Sequence, residues 1–167
     1  MKNAIYNTEN IIVVSTTTIE DLKRQAFLSP RKRFRLCMHH NNMEKTHEML
    51  IVFHENTFMP PHRHPLGKSE SYHVVEGSML VYFFNDEGKI INSIDMGTLE
   101  SKKPFLYRLS SNIWHMPVPT SKWLVYHETY SGPFQKEIDV EFPTWSPKEG
   151  DTENIKTFLQ DCNKHLK

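Results

Sequence analysis

From Arg31 onward the apolar residues recur with a period of two. In the run RKRFRLCMH, Phe34, Leu36 and Met38 fall on one face and Arg33, Arg35, Cys37 and His39 on the other, the alternation of a half-buried strand. Further strand-like runs cover 47–54, 70–76, 79–85, 89–95, 105–109, 113–118 and 122–130. Turn-forming residues separate them: Asn41-Asn42, Glu76-Gly77, Asp86-Glu87-Gly88, Gly97 and Ser111-Asn112. Many short strands at this spacing predict an antiparallel sandwich or barrel rather than a parallel sheet with crossover helices.

The two ends of the chain read differently. NIIVVST at 10–16 predicts a short strand. A helix is expected to follow, capped by Thr17 or Thr18 with Glu20 or Asp21 as capping-box partner. Ile19, Leu22 and Ala26 give that helix one apolar stripe, and Pro30 stops it. At the other end Asp151 or Thr152 caps a helix whose stripe is Ile155, Phe158, Leu159, Cys162 and Leu166. The stripe is expected to pack on the outside of the barrel. The expected organisation is one structural domain: an N-terminal strand and helix over 1–30, a barrel over 31–150, and a C-terminal helix over 151–167.

Composition narrows the functional classes. The 167 residues are enough for one core, and the 20 basic and 20 acidic residues cancel. No field of one sign is present to attract nucleic acid or an anionic membrane surface, so neither is expected as a partner. No run approaches the roughly 18 apolar residues of a membrane span. The opening MKNAIYNTENIIVV lacks the apolar run and cleavage site of a signal peptide. Cys37 and Cys162 lie far apart and form no CxxC, which predicts free thiols in a reducing compartment. The expected location is the cytoplasm.

Ten histidines are present, nine of them between His39 and His127. The most informative stretch is PPHRHPLGKSESYHVVEG. Residues two apart in extended chain point the same way, so His62 and His64 can present two imidazoles to one point. The chain then turns through Pro65, Leu66 and Gly67, and the next strand begins at Glu70, with Tyr72 and Val74 on the same face as its carboxylate. His115 in LSSNIWHM is the best fourth donor, on the barrel's inner side if Trp114 points outward. Two imidazoles and a carboxylate converging with open positions suit a redox or Lewis-acid metal ion rather than a closed structural zinc site. Fe, Mn, Ni, Co and Zn are not distinguished. His73 has the opposite parity to Glu70 and is read as a packing or surface residue. His40 and His165 are expected at the surface, and His54 to face away from His47.

These residues resemble the two short motifs of the cupin superfamily. The first is His-x-His, a Glu, then six residues and a Gly, here His62, His64, Glu70 and Gly77. The second is a Pro-x-Gly-x-x-His turn, here Ser110 to His115, with Ser110 and Asn112 in place of the proline and glycine. The interval from His64 to Glu70 is longer than usual, and Asn56 stands where a glycine commonly precedes the first motif. More closely, the chain resembles the WbuC-like cupin-fold metalloproteins from about Arg31 to Gly150. The likeness rests on RKRFRLCMH, the block ending at Gly77, NIWHM, GPF at 132–134 and FPTWSPKEG at 142–150; Cys37 replaces that family's usual Asn. The resemblance implies a mainly β fold, a single cupin barrel (double-stranded β-helix or jelly roll) with flanking helices. It also implies a setting in bacterial surface polysaccharide synthesis, O-antigen or capsule.

The functional expectation is a metal-dependent enzyme acting on a sugar or nucleotide-sugar derivative, isomerase- or epimerase-like, with His47 and Tyr72 as acid–base candidates. Arg35, His39, Arg63, Lys68, Tyr107 and Arg108 are candidates to grip a carboxylate, phosphate or sugar hydroxyl. Adjacent Tyr107 and Arg108 must point to opposite faces. The alternatives are a non-catalytic module binding a small sugar or acid, and an Fe(II) oxygenase using the same ligands. A homodimer is expected, with the 10–16 strand as a candidate for exchange.

Overall fold

The computed structural model describes residues 4–165, so Leu166 of the expected C-terminal stripe lies outside the described residues. The elements run β1 (Ala4–Tyr6), α1 (Thr16–Leu28), β2 (Arg33–Cys37), β3 (Thr46–His54), β4 (Glu70–Glu76), β5 (Ser78–Phe84), β6 (Ile90–Gly97), β7 (Leu106–Leu109), β8 (Trp114–Pro119), β9 (Trp123–Ser131), α2 (Lys136–Asp139) and α3 (Thr152–Lys164). A six-stranded sheet, β1-β2-β3-β9-β4-β7, faces a three-stranded one, β6-β5-β8. All pairings are antiparallel except the short parallel contact of β1 with β2. This is the jelly-roll arrangement expected from the run of short strands.

The period-two pattern divides each strand between two cores. Met49, Ile51 and Phe53 of β3 point between the sheets, joining Cys37, Tyr72, Val74, Val81, Phe83, Leu124 and Tyr126. Leu50 and Val52 of the same strand point outward and are covered by Leu22 and Ala26 of α1, with Phe34, Leu36 and Val125. The predicted Phe34/Leu36/Met38 face is therefore the one beneath the helix. On the opposite side Phe158, Leu159 and Cys162 of α3 cover Tyr82, Phe84, Trp114 and Met116 of the small sheet. Asp151 caps α3 by accepting from the Asn154 N–H.

Two local expectations need correction. Residues 10–16 form no strand; Ile11 and Val13 are exposed at 80% and 76%. A β-branched run without a neighbouring strand to pair with has no means of satisfying its backbone in a sheet. The first strand is instead Ala4–Tyr6, too short to reveal itself by alternation. The cap of α1 is Ser15 rather than Thr17 or Thr18, and its reciprocal partner is Thr18, not an acidic residue. Elsewhere the predicted strands hold to within a few residues.

Gly77 makes the tight step from β4 to β5. Its φ is +79°, and a Cβ there would lie 2.0 Å from the Trp123 carbonyl oxygen. Only glycine fits both the left-handed backbone and that close approach.

Candidate metal centre

On the inner face of the large sheet, registered residues fall into rows. The row at one end contains His47, Tyr130, Glu70 and Leu109; the next contains Cys37, Met49, Glu128, Tyr72 and Tyr107. Glu70, the first residue of β4, thus projects its carboxylate between the sheets at that end. From the facing sheet, His115 follows Trp114 at the start of β8; Trp114 packs outward against Trp145 while His115 is fully buried. The 62–64 segment lies against β8, with the His62 N–H donating to the His115 carbonyl (3.0 Å) and the His115 N–H to the His62 carbonyl (2.9 Å). Asn112, where the second motif has glycine, donates from Nδ2 to the His64 carbonyl. The altered turn therefore holds the HxH segment directly.

His62, His64, Glu70 and His115 are all buried, and one ligand atom from each lies within 4.8 Å of the others. Each imidazole is oriented from behind. His62 Nδ1 faces the Pro60 carbonyl at 3.1 Å, His64 Nδ1 the Asp139 carbonyl at 2.6 Å, and His115 Nδ1 the Ile113 carbonyl at 3.0 Å. A carbonyl only accepts, so each Nδ1 carries a proton and each Nε2 is turned to the interior, that of His64 lying 3.3 Å from Glu70 Oε2. Glu70 Oε1 and His115 Nε2 lie 2.8 Å apart, yet neither has a hydrogen-bond partner at bonding angles. Two buried acceptors at that distance repel unless a proton or a metal cation lies between their lone pairs. Three imidazole nitrogens and one carboxylate suit a divalent transition ion rather than the all-oxygen preference of calcium or magnesium. The quartet fits one divalent metal ion, as the sequence predicts.

Electrostatics in the quartet agree with that fit. Burial pushes the Glu70 carboxyl up, but His115 and His64 outweigh it and hold its pKa well below the usual range. His62 is driven well down by burial and by the neighbouring His115 and His64. Burial lowers His64, and its bond and charge interaction with Glu70 more than reverse this. The site therefore presents an ionised Glu70 carboxylate and a neutral His62 imidazole, while Glu70 favours a proton on His64 that a bound ion would displace.

The second row adds a group absent from the sequence-based assignment. Glu128 faces inward from β9 between Met49 and Tyr72. Burial and the nearby Glu70 charge push its carboxyl up to about 8, against lowering by His64 and Arg35. Tyr72, 1% exposed, is pushed well above the ordinary tyrosine range, first by burial and then by Glu70. Tyr107 is raised by the same causes, and its buried hydroxyl has no hydrogen-bond partner.

The remaining candidate residues are dispersed. His47 and His39 sit at the rim, buried and stacked at 4.0 Å; burial lowers both, and His47 Nε2 is unpartnered. Arg35 is exposed at the flank, close enough for its charge to act on Glu128, Tyr126 and Cys37. Arg63 points away from the quartet: it pairs with Glu141 at 2.7 Å and Asp86 at 2.9 Å and lies over the Trp114 ring. Lys68 is bonded to the Ser131 and Pro133 carbonyls and lies 3.5 Å from Asp139. Arg108 is exposed on the outer face of β7, opposite in direction to Tyr107. Arg63, Lys68 and Arg108 are thus not brought to the interior. His73, His40 and His165 are exposed and His54 packs outside the barrel against Phe27 and Trp123, as the sequence predicts. Two surface depressions, one beside α1 at Trp123 and one beside β1, both lie away from the quartet.

Comparison with known proteins places this geometry in a fold. Residues 14–96 match the family described as a domain of unknown function (DUF6016), a span that contains His62, His64 and Glu70 but ends before His115. No curated protein matches the chain. Among solved structures, protein SO0799 from Shewanella oneidensis is similar at 13% identity with a TM-score of 0.58, over 74% of this chain and 82% of that one. Oxalate oxidase in complex with the substrate analogue glycolate is similar at 14% identity and a TM-score of 0.52, over 69% of this chain and 57% of that one. Recombinant oxalate oxidase in complex with glycolate gives 15% identity and the same TM-score and coverage. The chain thus spans a little over half the length of the oxalate oxidases. Among the described residues no helix is long and apolar enough to cross a membrane. The chain has the cupin fold, and its buried His62, His64, Glu70 and His115 form a cluster that fits one divalent metal ion.

Proposed function

We propose that the protein is a cytoplasmic, homodimeric metal-dependent enzyme that isomerises or epimerises a sugar or nucleotide-sugar derivative in bacterial surface polysaccharide synthesis. The polysaccharide setting comes from the WbuC-like sequence features described above. The enzymatic reading is carried by Glu128, an inward-facing carboxyl one row below Glu70 with its pKa raised to about 8. An inward-facing carboxyl beside the metal cluster supports an enzymatic reading because it places a proton-transfer group where substrate would lie.

The bound ion would polarise a carbonyl or hydroxyl oxygen of the substrate. Glu128 supplies the proton acceptor and donor. Its high pKa makes it a stronger base than an ordinary carboxylate, and a cation near Glu70 draws that pKa down from about 8 towards the working range. The Tyr72 hydroxyl and that of Tyr107 beside it stay protonated and donate towards substrate oxygen. Arg35 stands at the flank, where its guanidinium suits a carboxylate or phosphate on the substrate.

The experiment is to mix metal-loaded protein with a panel of nucleotide sugars in D2O and follow them by NMR. Isomer formation or uptake of solvent deuterium is expected with wild type, and neither with Glu128→Gln. Unchanged spectra for every sugar would contradict the enzymatic reading.

A further inference from the structure

We propose that Lys68 and Asp139 are positioning residues for His64, setting its imidazole for metal binding through the segment that joins β9 to Glu141. The inference rests on the metal-binding reading of the quartet and adds to it a positioning role for two residues outside the ligand set.

The three histidines are not supported alike. His62 and His115 each donate to a carbonyl two residues earlier, a bond local to the ligand's own segment. His64 donates to Asp139, 75 residues away in the chain. Its orientation therefore depends on where the 133–141 segment lies. That segment contains the short helix α2, whose four residues are too few to hold a position by helix formation alone.

Asp139 is the fixed point of the segment, only 4% exposed. Its carboxylate accepts from the Gln135 N–H at 2.6 Å, closing the turn from within, and faces Lys68 Nζ at 3.5 Å. Lys68 also donates to the Ser131 and Pro133 carbonyls, at the start of the same segment. Lys68 itself belongs to the loop between His64 and Glu70, the interval that is longer here than in the usual motif. One ammonium thus ties the ligand-bearing loop to both ends of the segment whose carbonyl orients His64. Removing Lys68 would leave the buried Asp139 carboxylate with only the Gln135 N–H and untie the start of the segment, and removing Asp139 would take away the acceptor that closes the turn; either change loosens the hold on the Asp139 carbonyl. The Arg63–Glu141 side-chain pair on the same segment touches no ligand imidazole, and Glu141→Gln leaves the backbone bridge between these two residues intact, so that variant serves as a control.

The test uses the full-length protein with Asp139→Ala, Lys68→Met, Lys68→Arg and Glu141→Gln. Co2+ affinity is read by competition with a chromophoric chelator, and the visible spectrum of bound Co2+ reports donor set and geometry independently of stability. Asp139→Ala and Lys68→Met are expected to bind roughly 10–100-fold more weakly with an altered spectrum, while Lys68→Arg and Glu141→Gln stay near wild type. Should Asp139→Ala not fold, Lys68→Met keeps the Gln135 turn and carries the test alone. Wild-type affinity and spectrum in Lys68→Met would overturn the proposal, as would equal weakening in Glu141→Gln. Wild-type protein that takes up no Co2+ would overturn the metal reading as well, which separates the two failures.

Discussion

Glu128 stands directly opposite Tyr72 on adjacent antiparallel strands, one row deeper in the barrel than the ligand Glu70. The pair sets two unlike groups side by side: a carboxyl raised to about 8 and a phenol held protonated by burial and by Glu70.

The raised carboxyl affects stability even without substrate. In the metal-free protein, folded Glu128 holds its proton up to about pH 8, whereas unfolded Glu128 loses it near the ordinary carboxylate value of 4.5. The folded state binds more protons between those limits, so stability is full below about 4.5 and falls as pH rises through 8. A tenfold difference in proton affinity between the two states is worth about 1.4 kcal/mol, so a loss of a few kcal/mol is expected. Urea unfolding of metal-free wild type and Glu128→Gln from pH 5 to 9 checks this: the variant should lack that loss. Parallel pH profiles for the two would contradict it.

Arg35 lowers Glu128 from the flank. Arg35→Met should therefore move the Glu128 carboxyl titration to higher pH, read by 13C NMR of the labelled side chain. An unchanged midpoint would remove Arg35 from the electrostatics of the interior.

Gly77→Ala places a Cβ 2.0 Å from the Trp123 carbonyl at a φ of +79°. The expected cost is roughly 2–4 kcal/mol in denaturant unfolding. A variant within experimental error of wild type would show that the β4–β5 step is looser than described.

Phe158 of α3 stacks on Phe84 and Trp145, and Asn163 accepts from the Tyr82 hydroxyl. Phe158→Ala should destabilise by roughly 1–3 kcal/mol, below the range for a fully buried phenylalanine because the ring is partly exposed. Near-ultraviolet circular dichroism should also change as Trp145 loses its neighbour. No change in either would detach α3 from the stability of the barrel.

Much of this is legible in the sequence, for physical reasons. Alternation reveals a strand when one face is buried, which is why β4 and β9 stand out almost to the residue. The ligands are legible because HxH parity and the distance from Glu70 to Gly77 are local constraints. Ile11 and Val13 mislead because β-branched residues mark a strand only where a partner strand exists. Glu128 escapes notice although a signal is present: it sits between Tyr126 and Tyr130 with the same parity, a charge on an otherwise apolar and aromatic inner face. Asp139 gives no signal, because its role depends on a carbonyl meeting a histidine 75 residues away. The outward turn of Arg63 is equally hidden, since Glu141 and Asp86 become its partners only through the fold.

The central claim is that His62, His64, Glu70 and His115 hold one divalent metal ion. Metal analysis of protein prepared without a His tag or chelator, wild type beside His64→Ala, tests it most directly. Near-stoichiometric metal in wild type and its loss in His64→Ala is the predicted result; equal trace metal in both would contradict the account.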